Sequence, residues 1–310
     1  MGLRVLSLFD GISCGQIALE RAGIDVDVYY ASEIKSFAIE VTQKHYPNTI
    51  QIGDVNKVTY HNGVLFTEKG AFNVGGIDLL IGGSPCQNFS SASWSNPNTA
   101  EATGLKGSKS SLFYQYLRIL KEVNPKYFLL ENVRMKKEDK KKIDSYMGVE
   151  GILINSNLVS FQNRIRYYWT NIPGVTLPKD RKVNFQDFVD EDENRKREAT
   201  PNRTPSRIRM WNNGHSHTSS VRACRNITHA EKVNCLSVKQ DRCPNSGMIQ
   251  HGDWVRYLTR REMELAQTLP IGYCDGLSYS RVCNVTGDGW TVDIIAHIFS
   301  FIPKEDFDET

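Results

Sequence analysis

Short apolar runs alternate with amphipathic stretches along the first half of the chain. Leu3-Arg4-Val5-Leu6-Ser7-Leu8-Phe9 reads as a strand, and Ile17, Ala18, Leu19 and Ala22 then recur at helical spacing up to Gly23. A second strand, Val26 to Ala31, precedes a helix over 34–46, and a third short strand precedes Gly53. The run Ile77 to Ile81 is too short for a helix and stops at two glycines, so it reads as a buried strand. Ser111 to Val123 has a helical apolar face stopped by Asn124-Pro125, and Tyr127 to Leu130 is the next strand. Lys136 to Met147 reads as a basic helix, and Ile152 to Val159 and Phe161 to Trp169 read as strands. Strand–helix alternation of this kind predicts an α/β fold with a doubly wound, Rossmann-like sheet. From Pro173 to about residue 256 the rhythm is lost, with short β-like pieces such as Val233 to Val238. Pattern returns with a helix from Tyr257 to Leu269 and closes with Gly287 to Val292 and a helix from Ile294 to Phe299. This predicts a first domain over 1–172, a small irregular domain over 173–256, and a return segment over 257–310 that completes the first.

Composition narrows the class. With 40% hydrophobic and 24% charged residues in 310, the chain can bury a full core. No apolar run approaches the length of a bilayer span, and Met1 leads directly into a strand pattern, so a cytoplasmic protein with no membrane partner is expected. The seven cysteines are odd in number and contain no C-x-x-C pair, which argues for reduced thiols. Cys224, His229, Cys235 and Cys243 fit no structural zinc spacing, so no metal is expected. A net charge of +3 identifies no partner, but its distribution is uneven. No acid occurs from Arg203 to Ala230, a window holding Arg203, Arg207, Arg209, Arg222 and Arg225 with Trp211, Asn212, His215 and His217. Such a stretch is either a solvated surface or a segment that faces phosphates and base edges.

The candidate chemistry collects at strand ends, where α/β sheets present reactive groups. Cys86 follows the Ile77–Ile81 strand within Gly82-Gly83-Ser84-Pro85-Cys86-Gln87-Asn88-Phe89-Ser90. A lone cysteine is more often a small buried hydrophobe than a nucleophile, so its neighbours carry the argument. The loop after it, 88–110, is rich in Ser, Asn, Gly and Thr and reads as a mobile lid or a disordered segment. The first strand ends in Asp10-Gly11-Ile12-Ser13-Cys14-Gly15, a glycine turn whose amides and following helix face a ligand. No G-x-G-x-x-G occurs there, which counts against a nicotinamide dehydrogenase. Glu33, at the tip of the second strand, is placed to hold ribose hydroxyls, and Asp54 after the third could reach an adenine amino group. Glu131 is a second acid at a strand end. The alternation over 161–169 puts Gln162, Arg164 and Arg166 on one face of a strand, which is either an exposed polar face or an anion-recognition surface.

Taken together these motifs resemble, in order and over almost the whole chain, the DNA (cytosine-5)-methyltransferase family. The Phe9-Asp10-Gly11-Ile12-Ser13-Cys14-Gly15 turn looks like its S-adenosylmethionine loop, and Gly83-Ser84-Pro85-Cys86-Gln87 looks like its nucleophile motif. Glu131-Asn132-Val133 is similar to its acid motif, Gln162 to Arg166 to its arginine motif, and Gly287 to Trp290 to its closing cofactor motif. The spacing around Arg166 resembles the de novo-type branch and its bacterial and phage relatives. Two departures are visible: Asp288 stands where Asn is frequent, and 173–256 is short for a target-recognition domain.

The resemblance implies a Rossmann-like methyltransferase domain with a mixed sheet and a small target-recognition domain. It implies Cys86 as nucleophile on cytosine C6, Glu131 as the group at N3, Arg166 at O2, and Arg164 favouring the thiolate and orienting the acid. S-adenosyl-L-methionine is the implied cofactor, held by Phe9, Asp10, Gly11, Ile12, Ser13, Gly15, Glu33, Ile34, Asp54, Val55, Pro85, Asp288, Gly289 and Trp290. Ser84, Gln87, Asn88, Ser90 and Gln162, with Arg203, Arg207, Arg209, Arg222 and Arg225, are the implied DNA contacts. The expected reaction is methyl transfer to C5 of a cytosine flipped out of duplex DNA, for modification or self-protection against restriction. The cytosine would be protected from a possible cognate restriction endonuclease, in a bacterial nucleoid or a phage-infected host cytoplasm. Two alternatives stay open: a tRNA cytosine-5 methyltransferase of the same fold, and a catalytically silent DNA-binding relative.

Overall fold

The computed structural model describes residues 2–85, 111–213 and 224–306. The chain divides into two compact units, and the first comprises Met1–Ile154, Ile165–Leu177 and Ala296–Thr310. Its strands are β1 (Leu3–Leu8), β2 (Val26–Ser32), β3 (Ile50–Gln51), β4 (Thr59–His61), β5 (Val64–Thr67), β6 (Gly70–Asn73), β7 (Leu79–Gly83), β8 (Tyr127–Val133) and β9 (Ile152–Asn155), with β11 (Ile165–Thr170) after the short β10 (Gln162–Asn163). Seven of them form one mixed sheet in the order β3-β2-β1-β7-β8-β11-β9. β1 is parallel to β2 and β7, β7 is parallel to β8, and β11 runs antiparallel to β8.

The central strands are almost continuously apolar because both faces of the sheet are covered. Leu6, Leu8, Leu80 and Leu130 are fully buried, packed in one cluster with Phe113, Tyr116 and Trp169. The helix Ser111–Val123 supplies Phe113 and Tyr116 and lies so close to β7 that a Cβ at Gly82 would meet the Tyr116 ring at 3.0 Å. The order reverses at β1, whose neighbours β2 and β7 continue the sheet in opposite directions, so the loop after β1 stands at a topological switch point. A three-stranded sheet, β4-β5-β6, was not read from the sequence although its signal was present. Asn62 and Gly63 both have positive φ, 50° and 81°, as the type I′ hairpin of an Asn-Gly pair requires.

The second unit comprises Asn155–Arg164 and Pro178–Ile295. Residues 257–295, which the sequence reading joined to the first domain, lie in this unit. β10 pairs in parallel with β12 (Val233–Asn234), and β13 (Ile249–His251) pairs with β14 (Trp254–Arg256) as a hairpin. A second core gathers Ala199, Cys224, Met248 and Tyr257. The helix Arg260–Ala266 starts three residues later than expected, because Thr259 and Glu262 form a capping box there. Glu262 also holds Arg256 through two 2.9 Å contacts, and both side chains are buried.

Two expected elements are corrected. The strand from Ile152 stops at Asn155, whose side chain caps a tight turn over Ser156–Leu158. The single strand over 161–169 is two strands in different sheets, so Gln162, Arg164 and Arg166 do not share one face. Gly287 and Asp288 form the end of the helix Tyr279–Asp288. Among the described residues no helix is long and apolar enough to cross a membrane.

Candidate active site

In the first unit the strand that leads to Cys86 and the strand that carries Glu131 are hydrogen-bonded neighbours. Gly83 of β7 lies opposite Glu131 of β8, which fixes the level of the sheet at which the chain turns into Ser84-Pro85. Cys86 itself, with Gln87, Asn88, Ser90 and the 88–110 loop expected as a lid, lies outside the described residues. Asn132, next to Glu131, donates from Nδ2 to Ser84 Oγ at 3.0 Å and to Ser84 O at 3.4 Å. Sequence reasoning did not assign Asn132 a role. Its signal is an amide beside Glu131 in a strand whose other residues are apolar or aromatic, 1% exposed in the structure.

Glu131 is paired. Arg166 Nε lies 2.9 Å from Glu131 Oε1, and the two side chains are 13% and 9% exposed. The register explains the pair: Arg166 is opposite Val133 and Tyr168 opposite Glu131, a diagonal that a long side chain spans. Arg166 Nη1 also donates to Ile165 O at 2.9 Å. The carboxylate is therefore held in one orientation on β8, level with Gly83 at the end of β7.

The loop after β1 is folded tightly. Phe9, Gly11 and Ser13 have φ of 59°, 63° and 56°, three left-handed positions within five residues. Asp10 is half-buried, and desolvation raises its pKa against the lowering effect of hydrogen bonds from Ser13, Ser7 and Tyr29. Tyr29, a partner not foreseen, donates to Asp10 Oδ1 at 2.7 Å, and Ser13 Oγ donates to Asp10 Oδ2. Ile12 is buried, and a Cβ at Gly15 would lie 2.5 Å from Ile81 and 2.7 Å from the Tyr29 hydroxyl oxygen. Only glycine lets that helix start against the sheet.

Glu33 closes the loop from the side. Its Oε2 accepts from Gly11 N at 2.8 Å, and its Oε1 accepts from Ile34 N at 2.8 Å and Lys35 N at 2.9 Å. A carboxylate has about four acceptor positions, so Oε2 retains capacity for a hydroxyl. Ile34 beside it is 72% exposed, an apolar face in solvent at the C-terminal end of β2. Asp54 caps the turn Val55–Lys57, accepting from Asn56 N at 2.9 Å, and Val55 is buried beneath it. An acceptor for ribose, an apolar side chain for a heteroaromatic face and a left-handed glycine loop at the switch point suit an adenosyl group.

In the second unit Arg164 is 3% exposed and is held by main chain. Nη2 donates to Gly287 O at 3.2 Å and Gly289 O at 2.8 Å, and Nη1 to Leu236 O at 3.5 Å and Cys235 Sγ at 3.2 Å. Gln267, missed by the sequence reading, is the hub beside it. Its Nε2 donates to Thr286 O and Gly289 O, while its Oε1 accepts from Thr291 and from Gln162 Nε2 at 2.8 Å. Gln162 is fully buried in this network and its Oε1 accepts from Leu236 N. Gly287 could not carry a side chain, because a Cβ would lie 2.4 Å from the Ser237–Val238 peptide. Asp288 is exposed, and Gly289 and Trp290 are half-buried.

Of the basic candidates, Arg203 donates to Asp253 O, and Arg207 donates to Arg242 O and to Asp241 O at 3.4 Å. Arg209 and Arg225 are exposed on the same unit, and Arg222 lies outside the described residues. Among the described residues no group of three or more His, Cys, Asp or Glu is arranged to hold a metal.

Comparison with known proteins bears on the strand-end site. Residues 3–150 match the family model for C-5 cytosine-specific DNA methylase. The chain is 35% identical over 134 residues to the orphan methyltransferase M.Rho11sI of Bacillus phage rho11s, covering 43% of this chain and 23% of that protein. It is 37% identical over 127 residues to the rice DNA (cytosine-5)-methyltransferase DRM1A, covering 39% and 25%. These alignments thus span about a quarter of the relatives' length. The fold is similar to that of the Entamoeba histolytica methyltransferase EhMeth, with a TM-score of 0.74 at 15% identity over 100% of both chains.

Proposed function

We propose that this relative of the C-5 cytosine-specific DNA methylases transfers a methyl group to C5 of a cytosine in duplex DNA. The observation that carries the reading is the buried Glu131–Arg166 pair opposite Gly83, three residues before Cys86. Cytosine C5 is a poor nucleophile until a second nucleophile adds at C6. The Cys86 thiolate is that group: its sulfur bonds to C6, and the displaced electron pair moves toward N3 and C5. Glu131, entering the step as the carboxylic acid, donates a hydrogen bond or its proton to N3 and takes the proton back when the adduct breaks down, and Arg166, fixed against it, faces the base O2. S-adenosyl-L-methionine, the methyl donor of this family, supplies an electrophilic methyl on sulfonium sulfur. Gly11, Glu33 and Ile34 bind the adenosyl part. After C5 gains its methyl, loss of the C5 proton and departure of the Cys86 sulfur from C6 return the thiolate.

Arg164 and Gln267 act at one remove, by holding the Gly287–Gly289 carbonyls and so the segment bearing Asp288 and Trp290. The reaction needs the base outside the stack, so the cytosine is flipped. Similarity to a phage orphan methyltransferase supports a role in modification or self-protection. The test is transfer of tritiated methyl to a sequence-diverse duplex DNA pool and, in parallel, to total tRNA. Label at cytosine C5 of DNA is expected. Label in tRNA alone would overturn the DNA assignment, and label in neither would overturn the activity.

A further inference from the structure

The second unit contains a cavity of about 470 Å³ that the transfer chemistry does not use. Its apolar lining includes the indoles of Trp211 and Trp254 and the side chain of Ile208, which is 48% exposed. Its polar lining includes Arg203, Arg207 and Gln250, with Asp253 as the single acid. Both arginines are anchored without neutralisation. Arg203 donates to Asp253 O, and Arg207 donates to two main-chain carbonyls and stands 5.7 Å above the Tyr257 ring. Among the described residues neither guanidinium makes an ion pair. Trp254 is braced edge-on by the His251 ring, with centroids 4.7 Å apart.

A pocket of this size falls in the range that encloses small planar ligands. Two positive guanidiniums exclude the alkylammonium groups that aromatic pockets otherwise favour. They call instead for an anion that brings an aromatic face, and Gln250 adds a carboxamide able to bond a base edge. A base inside a duplex offers only its edge, whereas indoles in a cavity engage faces. We propose that this cavity takes one unstacked nucleotide of the nucleic-acid substrate, its base against the indoles and its phosphate against Arg203 and Arg207. This rests on the preceding reading in that nucleic acid is the substrate. The nucleotide is distinct from the target cytosine, which belongs with Glu131 and Cys86 in the first unit.

The experiment is a titration of intrinsic tryptophan fluorescence in the full chain with the four deoxynucleoside 5′-monophosphates. Deoxyribose 5-phosphate, inorganic phosphate and a glutamate-rich peptide serve as comparison probes. Saturable quenching by the monophosphates is expected, with Kd on the order of 1 mM, and little by the comparison probes. Arg203→Gln, at an exposed side chain, and Trp254→Leu, with its fold checked by thermal melting, should each weaken binding about tenfold. Equal quenching by inorganic phosphate, tighter binding of the peptide, or no saturable quenching by any monophosphate overturns the proposal. Covalent trapping of fluorinated DNA by the wild-type chain reports separately on the methyltransferase reading, so the two can fail independently.

Discussion

Arg164 and Arg166 are two residues apart, yet they end in different units and are satisfied in opposite ways. Arg166 meets the carboxylate of Glu131 at 2.9 Å. Arg164, the more deeply buried of the two, meets the carbonyls of Leu236, Gly287 and Gly289 and one sulfur. A charge beside a carboxylate at a strand end is an instrument for a reaction, because each partner fixes the other's position and field. A charge caged by carbonyls ties segments together, because guanidinium donors in a fixed fork reach several acceptors at once. On the proposed reading, the same residue type at alternate positions serves chemistry in one unit and architecture in the other.

The comparison breaks hardest at Glu131. Glu131→Ala leaves the Arg166 guanidinium buried without its carboxylate, a loss of about 3–5 kcal/mol in denaturant unfolding. Glu131→Gln keeps the shape, and methyl transfer is expected to fall by roughly 10²–10⁴-fold. A Gln variant that melts normally and transfers normally would remove Glu131 from the chemistry. Arg164→Ala strands several buried carbonyls and should cost ~1–3 kcal/mol. Arg164→Lys should recover only part of that, because an ammonium lacks the planar fork. Full recovery by lysine, read as an unchanged midpoint, would mean that charge rather than geometry matters there.

Smaller effects sharpen the picture around β1. A Cβ at Gly11 would meet nothing within 4 Å, but φ is +63°. Gly11→Ala should therefore cost ~1–2 kcal/mol from backbone strain alone. It should also weaken S-adenosyl-L-methionine binding in calorimetry, because Gly11 N holds Glu33. Smallest is Asp78, which anchors β1 to β7 through Arg4 at 3.0 Å. Burial raises its pKa, but hydrogen bonds from the Arg4 side chain and main chain outweigh that and hold it below the ordinary value. Its stabilisation is present above the unfolded value of about 3.9 and fades as pH falls through the lower folded value. Because both side chains are partly exposed, Asp78→Asn should cost ~0.2–1 kcal/mol at pH 6, and the difference from wild type should shrink as pH falls below the unfolded value.

Much of the first unit was legible because its signals are local. An apolar run with a glycine stop marks β1 and β7 wherever their partners lie, and Glu33 follows from a carboxylate one strand after a glycine turn. The Asn132–Ser84 bond was not legible, since it depends on which strand lies beside β7. The break at Arg164 was hidden for a related reason. Alternation over 161–169 is the same for one strand as for two, and β10 is claimed by β12 some seventy residues later. Gln267 carries no pattern of its own; its role comes from the carbonyls that converge on it.

The most direct test of the central assignment is covalent trapping on duplex DNA containing 5-fluorocytosine in the presence of S-adenosyl-L-methionine. Fluorine at C5 cannot leave as a proton does, so the sulfur–C6 bond persists. The expected result is a denaturation-resistant protein–DNA adduct that needs the cofactor and disappears in Cys86→Ala. No adduct across a sequence-diverse pool with folded protein, or an equal adduct from Cys86→Ala, would contradict the account.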